Sequence, residues 1–352
     1  MSRPVTTNGP VSIEDVVSDV RQRGDAALME WSRRFDGTSA TTPERAVAYG
    51  DIPTAAVLAA ADAVRTWHAA QRPADLMLEV SPGVTLERRW TALRSIGVYV
   101  PQGLVSSLIM VAIPAQVAGV ERIVVCTPPK GSAAVAAAAA LLGIDEVWAV
   151  GGAQAIAAMA YGTDSIASVD KIFGPGGAAV NAAKLLVSRD VAIDLPAGPS
   201  EIVVVADLGF DETIIQQELD AQMEHGPDSR AYVVRVGDDL EAALAEIEGY
   251  AAEHVALLGD RAESLAGRIR NAGAVFVGPY SPVPAGDYAT GGNHVLPTGG
   301  WARSTGGLGL EAFMKTVTVQ RVTKEGLERL APTIEALADL EGMTAHKATA
   351  RR

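Results

Sequence analysis

The strongest constraint on the fold is a regular alternation of short β-branched runs with Ala-rich helical stretches, which begins near residue 95. The runs occupy residues 97–100, 123–126, 147–150, 171–173 and 202–206, followed by 232–236, 255–258 and 275–277. Strands that alternate with helices in this way form parallel sheets joined by crossover helices. The pattern therefore predicts an α/β fold with two Rossmann-like parallel-sheet units, the second smaller than the first.

The segments on either side of this alternation have a helical period. Val16, Val17 and Val20 share one face of an amphipathic stretch, and the leucines between residues 327 and 340 recur at helical spacing. We therefore expect an N-terminal helical segment over residues 1–94, packing on the second α/β unit, and a C-terminal helical tail over residues 306–352. The two α/β units are expected to span residues 95–200 and 201–305.

Composition excludes several classes of partner. The 352-residue chain has a net charge of −13 and a pI near 4.9, which argues against binding to nucleic acid or to an anionic membrane surface. Its first residues, MSRPVTTNGP, form a polar arm without the apolar core of a signal peptide, and no apolar run long enough to span a membrane occurs. One cysteine allows no internal disulfide, so we expect a reducing, cytoplasmic location.

The C-terminal part of the chain has the residue inventory of a metal-assisted active site. It contains four of the five histidines, each near a carboxylate or an amide: His225, His254, His294 and His346. Gln222 and His225 lie three positions apart, on one face of a predicted helix that ends at Gly226. Such a pair is more often solvated surface than ligand, but nitrogen and oxygen donors of these types suit Zn²⁺.

A glycine-rich turn is weaker evidence for a dinucleotide. The segment GPGGAAVNAAK begins at Gly174, directly after the run 171–173. It lacks the third glycine of GxGxxG, and no acidic residue is placed to bind a ribose. Taken alone, the turn does not establish a cofactor site.

Seven ordered blocks of the sequence resemble histidinol dehydrogenases. They are GGAQAIAAMAYG, KIFGPGG, PAGPSEIVVVAD, DAQMEHGPDS, AAEHVALL, AGDYATGGNHVLPT and EGMTAHK. Their joint occurrence is very specific, and the resemblance runs from about Val11 to the C-terminus. It implies a zinc-containing, NAD-dependent enzyme that oxidises L-histidinol via L-histidinal to L-histidine. Residues 95–200 would then bind NAD, and residues 201–305 would carry the zinc and the catalytic groups.

The resemblance also implies roles for individual residues. The zinc ligands, for one ion per subunit, would be Gln222, His225, Asp287 and His346. Zinc would act as template and Lewis acid, because it has no accessible second oxidation state. His254 would accept the alcohol proton, since imidazole titrates near working pH, and Glu253 would activate water against the aldehyde.

Further residues match positions that contact substrate and cofactor in the resembling family. The substrate residues would be Ser106, Ser200, His294 and Glu341. The NAD residues would be Tyr99, Gln154 and Gly177. Position 177 is usually asparagine in that family, so glycine removes the amide that would make one hydrogen bond to the cofactor.

The chain departs from the family pattern at three places. It begins late, without the usual N-terminal extension; the segment between His225 and His254 is shortened, as if a strand-helix unit were absent; and a few residues are missing beside Ser106. In the family, terminal segments intertwine two subunits, and Glu341 and His346 match residues given to the partner's site. A homodimer with a shared active site is therefore expected, with one of its contacts reduced.

Two other functions stay open at this stage. Shortening beside Ser106 allows another small polar alcohol, such as a sulfonated diol, to be the substrate. The chain could also be a zinc-holding homologue without turnover, although the intact Glu253-His254 pair argues against this.

Cys126 lies in an apolar strand and is interpreted as a small buried hydrophobe, which favours water over a thiol as the nucleophile. His68 is interpreted as an exposed or half-buried structural histidine.

Overall fold

The computed structural model describes residues 11–195 and 198–351, so the polar arm expected for residues 1–10 lies outside it. In chain order the strands are β1 (Leu76–Ser81), β2 (Val84–Ala92), β3 (Ser95–Tyr99), β4 (Arg122–Thr127), β5 (Glu146–Ala149), β6 (Lys171–Phe173), β7 (Ala192–Ile193), β8 (Glu201–Asp207), β9 (Arg230–Val236), β10 (His254–Leu258), β11 (Ala274–Val277) and β12 (Met314–Val322). The α-helices are α1 (Ile13–Arg23), α2 (Asp25–Phe35), α3 (Thr54–Ala69), α4 (Val105–Ala118), α5 (Ser132–Leu141), α6 (Gly152–Tyr161), α7 (Ala178–Val187), α8 (Glu212–Met223), α9 (Leu240–Tyr250), α10 (Asp260–Glu263), α11 (Val283–Tyr288), α12 (Lys324–Leu340) and α13 (Thr344–Thr349).

These elements form two compact units, each described here by itself. Among the described residues, the first unit comprises 11–71, 93–195 and 198–313, and the second comprises 72–92 and 314–351. Both parallel sheets belong to the first unit. Whether residues 95–200 and 201–305 behave as separate domains stays a prediction.

The first sheet contains five parallel strands in the order β5-β4-β3-β6-β7. The chain moves from β3 outward to β4 and β5, and then returns to place β6 on the other side of β3. Open α/β sheets bind ligands at such a reversal, at the carboxyl ends of the strands on either side of it, which here are β3 and β6. Every residue of β3 is buried, as expected for a parallel strand covered by helices on both faces.

The second sheet contains four parallel strands in the order β11-β10-β8-β9. One face of β8 and β10, with Ile202 and Ala256, packs against Ile215 of α8 and Val283 of α11. A crossover helix runs opposite to the strand that it follows, so α8 begins at the carboxyl edge of the sheet and ends at the amino edge. Two parallel sheets with covering helices confirm the predicted fold class.

The N-terminal helices pack on the first α/β unit, so the prediction that they pack on the second was wrong. Val16 and Val20 of α1 and Trp31 of α2 share a buried cluster with Ile156 and Met159 of α6. Residues 153–160 of α6 are all buried, and a helix that is apolar all round needs a cover on its far side. The amphipathic period of α1 predicts a buried face but does not specify which partner covers it.

The second unit contains strands in segments that were predicted to be helical. β1 and β2 form an antiparallel hairpin, and β12 pairs with β2 from Met314↔Ala92 to Val322↔Val84. The helical expectation is therefore wrong for residues 76–92 and 314–322, whereas α12 and α13 confirm the helical end of the tail. The reason is that cross-strand pairs stabilise a sheet, and β12 is too distant from β2 in sequence to give a local signal.

Two isolated residues have clear structural positions. Cys126 of β4 is buried and unpaired, as predicted, and burial raises the pKa of its thiol. His68 of α3 is fully buried, which corrects the expected exposed or half-buried position. Its Nδ1 lies 2.8 Å from the carbonyl oxygen of Val64, and burial lowers the ring's pKa.

Among the described residues, no helix is both long and apolar enough to cross a membrane.

Candidate active site

The candidate active site lies at the amino edge of the second sheet. Ser200 immediately precedes β8, and Glu253 immediately precedes the neighbouring strand β10, which begins with His254. Gln222 lies in the last turn of α8 and His225 follows that helix, which returns to this edge of the sheet. Adjacent parallel strands and a reversed crossover helix thus bring together residues that are far apart in sequence.

Glu253 is a buried carboxyl group with a raised pKa. It accepts hydrogen bonds from the Ser200 hydroxyl at 2.6 Å and from the backbone N–H of Glu201 at 3.0 Å. Burial raises the pKa of Glu253 to about 7; these two hydrogen bonds oppose the rise, while the nearby Asp287 and Glu201 carboxylates add to it. Glu253 therefore exchanges a proton near neutral pH, which suits a general base.

His254 is a neutral imidazole enclosed by the fold. It is only 2% exposed, and its ring centre lies 5.9 Å from that of Phe276. Burial lowers the pKa of His254 to about 3, with a further lowering from the neighbouring His225 and His294 rings. Sequence alone predicted titration near working pH, as for free imidazole, but burial shifts the resting ring to its neutral form, in which one nitrogen keeps a lone pair that can accept a proton. Neither ring nitrogen makes a hydrogen bond of normal geometry within the described chain.

The Gln222 side chain is oriented by Ser200. Its Nε2 donates to the Ser200 hydroxyl oxygen at 2.9 Å, while that hydroxyl donates to Glu253. This arrangement shows which end of the Gln222 amide is the nitrogen. The Ser200 hydroxyl proton is directed at the Glu253 carboxylate, so the hydroxyl oxygen can only accept from the Gln222 side chain. The opposite atom, Gln222 Oε1, is buried and has no hydrogen-bond partner among the described residues. A buried carbonyl oxygen without a donor is costly unless something else binds it.

The His225 and His294 rings each have one nitrogen engaged by a backbone carbonyl. Nδ1 of His225 lies 3.3 Å from the carbonyl oxygen of Gln222, and Nδ1 of His294 lies 3.1 Å from that of Asp287. A carbonyl can only accept, so in a neutral ring the proton is on Nδ1 and the lone pair is on Nε2. Burial lowers the pKa of His294 to about 4, which keeps that ring neutral.

Asp287 supplies a buried carboxylate from the last turn of α11. Burial raises its pKa, and the neighbouring His225 ring partly opposes this effect. Glu218, one turn before Gln222 on α8, accepts a hydrogen bond at 3.2 Å from the N–H of Val283, the first residue of α11. This contact connects the two helices one turn behind the Gln222 and Asp287 side chains.

The structure brings together seven of the predicted site residues: Ser200, Gln222, His225, Glu253, His254, Asp287 and His294. Within the described chain, no group of three or more His, Cys, Asp and Glu side chains is arranged to hold a metal ion by itself. Glu341 and His346 are exposed in the other compact unit, and Ser106 is half-buried in the first turn of α4. The roles predicted for these three residues stay predictions.

Tyr99 and Gln154 lie near the carboxyl edge of the first sheet. The Tyr99 hydroxyl, at the end of β3, accepts a hydrogen bond from the Gly152 N–H at 3.1 Å. Gln154 is fully buried in the first turn of α6, and its Nε2 donates to Asp36 Oδ2 at 3.0 Å. Its Oε1 has no hydrogen-bond partner in the described structure. Asp36 was not predicted; it orients the amide and also accepts from the Gly151 N–H at 3.4 Å.

Gly177 and Gly174 differ in what their positions require. Gly177 caps the start of α7 with extended backbone, and a Cβ there would have no other atom within 4 Å. The fold would therefore accept asparagine at position 177. Gly174 has φ 110°, and a Cβ there would overlap the carbonyl oxygen of Tyr99, so only glycine fits.

Comparison with known proteins assigns the family. The sequence model of histidinol dehydrogenases matches residues 5–240 and 232–352. The chain belongs to the histidinol dehydrogenase family. The histidinol dehydrogenase of Photobacterium profundum is 40% identical over 400 aligned positions, covering 99% of this chain and 90% of that protein. The crystal structure of histidinol dehydrogenase from Elizabethkingia anophelis matches with a TM-score of 0.89 at 34% identity, covering 99% of this chain and 93% of that one.

Histidinol dehydrogenases are NAD-dependent oxidoreductases of histidine biosynthesis, and this chain is a short member. The 400 aligned positions exceed its 352 residues, so the relative carries segments that are absent here. The two family matches meet at residues 232–240, between His225 and His254, where the sequence predicts a lost strand-helix unit. This region contains β9, an edge strand. A loss beside an edge strand leaves the central strands β8 and β10, which carry the site, in place.

Three residues that shape the site were missed by sequence reasoning: Asp36, Glu201 and Glu218. Glu201 directly follows Ser200 in the block GPSE, and that position was sufficient to identify it. Glu218 lies one helical turn before Gln222, so the i, i+4 rule could have indicated a buried acidic residue on the same face. Asp36 has no comparable signal, because its contacts with Gln154 and Gly151 arise only when α2 packs near α6.

Proposed function

We propose that this member of the family oxidises L-histidinol through L-histidinal to L-histidine, consuming two NAD and using one zinc ion per subunit. The observation that carries the proposal is the Gln222–Ser200–Glu253 chain of hydrogen bonds. It holds a carboxylate that titrates near pH 7 beside a buried amide oxygen that has no donor. A base for water and a ligand for a cation are therefore positioned by the same serine.

The donor set fits zinc. Gln222 and His225 each have one side-chain polar atom engaged by the protein, which leaves Gln222 Oε1 and His225 Nε2 for a ligand, and Asp287 adds a buried carboxylate near His225. Outer contacts of this kind orient metal ligands. His346 of a second copy of the chain would be the fourth ligand. Bound there, zinc would supply a fixed positive charge that orients the polar groups of histidinol and stabilises negative charge on oxygen.

The side chains of the site divide the proton transfers between them. In the first step His254 is the proposed base: its neutral ring would accept the hydroxyl proton of the primary alcohol as the hydride passes to NAD, which leaves the aldehyde. In the second step Glu253 takes a proton from water as the water oxygen adds to the aldehyde carbon. The adduct is the anion of the aldehyde hydrate; it would give its hydride to a second NAD, and the carboxylic acid formed in this way ionises to the carboxylate. Ser200, His294, Ser106 and Glu341 are the proposed substrate contacts.

NAD is proposed to bind at the carboxyl edge of the first sheet, against Tyr99, Gln154 and Gly177. The support is the reversal of strand order at β3 and β6, because open α/β sheets bind ligands at such a reversal. The free Gln154 Oε1 and the exposed start of α7 would provide an acceptor and backbone donors for the cofactor.

A homodimer is proposed because the second unit exposes much of its apolar surface. Leu76, Met77, Leu78 and Val80 of β1 are each at least half exposed, and Leu340 of α12 is 82% exposed. An antiparallel sheet normally buries one of its faces, so consecutive exposed apolar residues on β1 indicate a partner surface. A second copy of the chain is the proposed occupant, with Glu341 and His346 completing the site of that copy. The cytoplasmic location expected from the sequence stays a prediction.

The proposed activity is tested with purified, zinc-loaded protein and NAD. NADH formation is measured with L-histidinol beside a panel of amino alcohols and sulfonated diols. We expect L-histidinol to have the highest kcat/KM. A higher value for a diol would contradict the proposed substrate, and no turnover with any alcohol would indicate a binding protein.

A further inference from the structure

The glycine-rich turn after β6 is held by a buried ion pair. Asp194 Oδ2 accepts a hydrogen bond from the Gly174 N–H at 2.8 Å, and Lys184 Nζ donates to the Gly174 carbonyl oxygen at 2.9 Å. Lys184 and Asp194 also form an ion pair with each other. Both polar groups of one glycine are thus fixed by two side chains of opposite charge, which form a closed triangle of contacts with it.

Stability alone does not explain why this ion pair is buried. The Lys184 and Asp194 side chains are 2% and 1% exposed. Removing two charges from water carries a large desolvation penalty, and an apolar pair of similar volume is often no less stable. A charged pair is useful where directional contacts must fix one backbone conformation, and here one side-chain hydrogen bond from each partner goes to Gly174.

Gly174 lies where the backbone must be placed accurately. It follows β6 beside the end of β3, and its Cα packs against the carbonyl of Tyr99, leaving no space for a Cβ. Three residues later, Gly177 caps the start of α7, where backbone N–H groups lack partners within the helix. A displacement of Gly174 would therefore change both the end of β3 and the start of α7.

We propose that the Lys184–Asp194 pair is a positioning device for NAD, acting through the Gly174 turn without touching the cofactor. Lys184 is not a direct phosphate ligand, because its ammonium group is enclosed and already bound to Asp194 and the Gly174 carbonyl. This inference rests on the proposed binding of NAD at the carboxyl edge of the first sheet.

The test uses variants that avoid leaving one buried charge unpaired. The double variant Lys184→Met with Asp194→Asn is neutral and keeps an oxygen for the Gly174 N–H, but it releases the Gly174 carbonyl. The matched control is Lys171→Met, which removes a lysine donating to the Ala312 carbonyl at 2.9 Å, three residues before the same turn. NAD affinity of the full-length protein is measured by calorimetry, together with KM for NAD, kcat, zinc content and melting temperature.

We expect the double variant to bind NAD about 10- to 100-fold more weakly, by analogy with the loss of an outer-shell contact that orients a metal ligand, with KM for NAD raised to match. Its kcat and zinc content should stay within twofold of wild type, and Lys171→Met should keep wild-type NAD affinity. A double variant that melts earlier but binds NAD normally would overturn the positioning role. An equal loss of NAD affinity in Lys171→Met would overturn it as well. If the wild type itself does not bind NAD, the proposed function fails and this inference fails with it.

Discussion

The contact between Ser200 and Glu253 makes a quantitative prediction about pH. In Ser200→Ala, Glu253 loses the hydrogen bond of 2.6 Å and keeps only the one from the Glu201 N–H. A hydrogen bond to a charged group contributes about 1.5–3 kcal/mol, and each 1.36 kcal/mol changes proton affinity about tenfold. The pKa of Glu253, about 7 in the wild type, should therefore rise to between about 8 and 9 in the variant.

The ionised form of Glu253 is the base, so a higher pKa moves the acid limb of the rate profile towards alkaline pH. At pH 7.5 about three quarters of wild-type Glu253 is ionised, against roughly 3–25% in the variant. We expect kcat/KM for L-histidinal to fall by about 3- to 25-fold at pH 7.5, and the difference to shrink largely by pH 10.

The assay is the initial rate of L-histidinal oxidation between pH 6 and pH 10 with zinc-loaded protein. The matched control is Ser95→Ala, which removes a hydroxyl that donates to Asp170 at 3.1 Å in the first sheet. The control should keep the wild-type midpoint. A Ser200→Ala profile that superimposes on the wild type, or a loss that is equal at every pH, would refute the assignment of Glu253 as the titrating base.

Four further outcomes are expected. Glu253→Gln should spare hydride transfer from the alcohol more than aldehyde oxidation, while His254→Asn should damage both, as measured by single-turnover kinetics with each substrate. Gly177→Asn should lower KM for NAD by about three- to tenfold, the value of one added hydrogen bond, because open space surrounds that position. His225→Ala should lose most of the zinc of about one ion per subunit, by metal analysis after dialysis. Mixed inactive His254→Asn and His346→Ala proteins should regain up to half of wild-type activity per heterodimer.

A specific result would contradict each of these four predictions. Equal losses at both steps in Glu253→Gln would mean that the two residues share their roles. The matched control for the zinc measurement is Met223→Ala, which changes an exposed neighbouring residue on α8. If Met223→Ala and His225→Ala contain equal amounts of zinc, His225 is not a zinc ligand. An unchanged KM in Gly177→Asn would place NAD away from α7. If labelled subunits exchange and no activity returns, His346 serves its own chain.

The parallel sheets were predictable because their signal is local. All eight β-branched runs of the sequence became strands, and their ends moved by no more than two residues. Buried parallel strands are apolar on both faces, so each run is recognisable without knowledge of its neighbours. The order of the strands in each sheet was not predictable in this way, because it depends on whether each crossover places the next strand on one side of the preceding strands or on the other.

The errors occurred where structure depends on distant partners. Leu76, Met77 and Leu78 are consecutive apolar residues without alternation, and they form a strand because β2 lies beside them and β12 beyond it. The amphipathic face of α1 was correctly predicted, but its partner α6 was not. Such pairings come from the whole chain and not from any window of it.

The residues of the site were predictable only through the family resemblance, whereas their electrostatics were not predictable at all. Spacing placed Gln222 and His225 on one helical face, but the resemblance connected them with Asp287 and Glu253. Burial then lowers the pKa of His254 to about 3 and raises that of Glu253 to about 7, which reverses the order for free side chains. Sequence gives the types of titrating group, and enclosure by the fold determines which of them titrates at working pH.

The most direct test of the account is the number of NADH molecules formed per L-histidinol when L-histidinol is limiting. The reaction is run to completion with zinc-loaded protein and excess NAD, and NADH is measured by absorbance while L-histidine is measured by chromatography. We predict two NADH and one L-histidine for each L-histidinol consumed, with both products absent for His254→Asn. One NADH with accumulation of aldehyde, or no NADH from L-histidinol, would contradict the proposed four-electron oxidation.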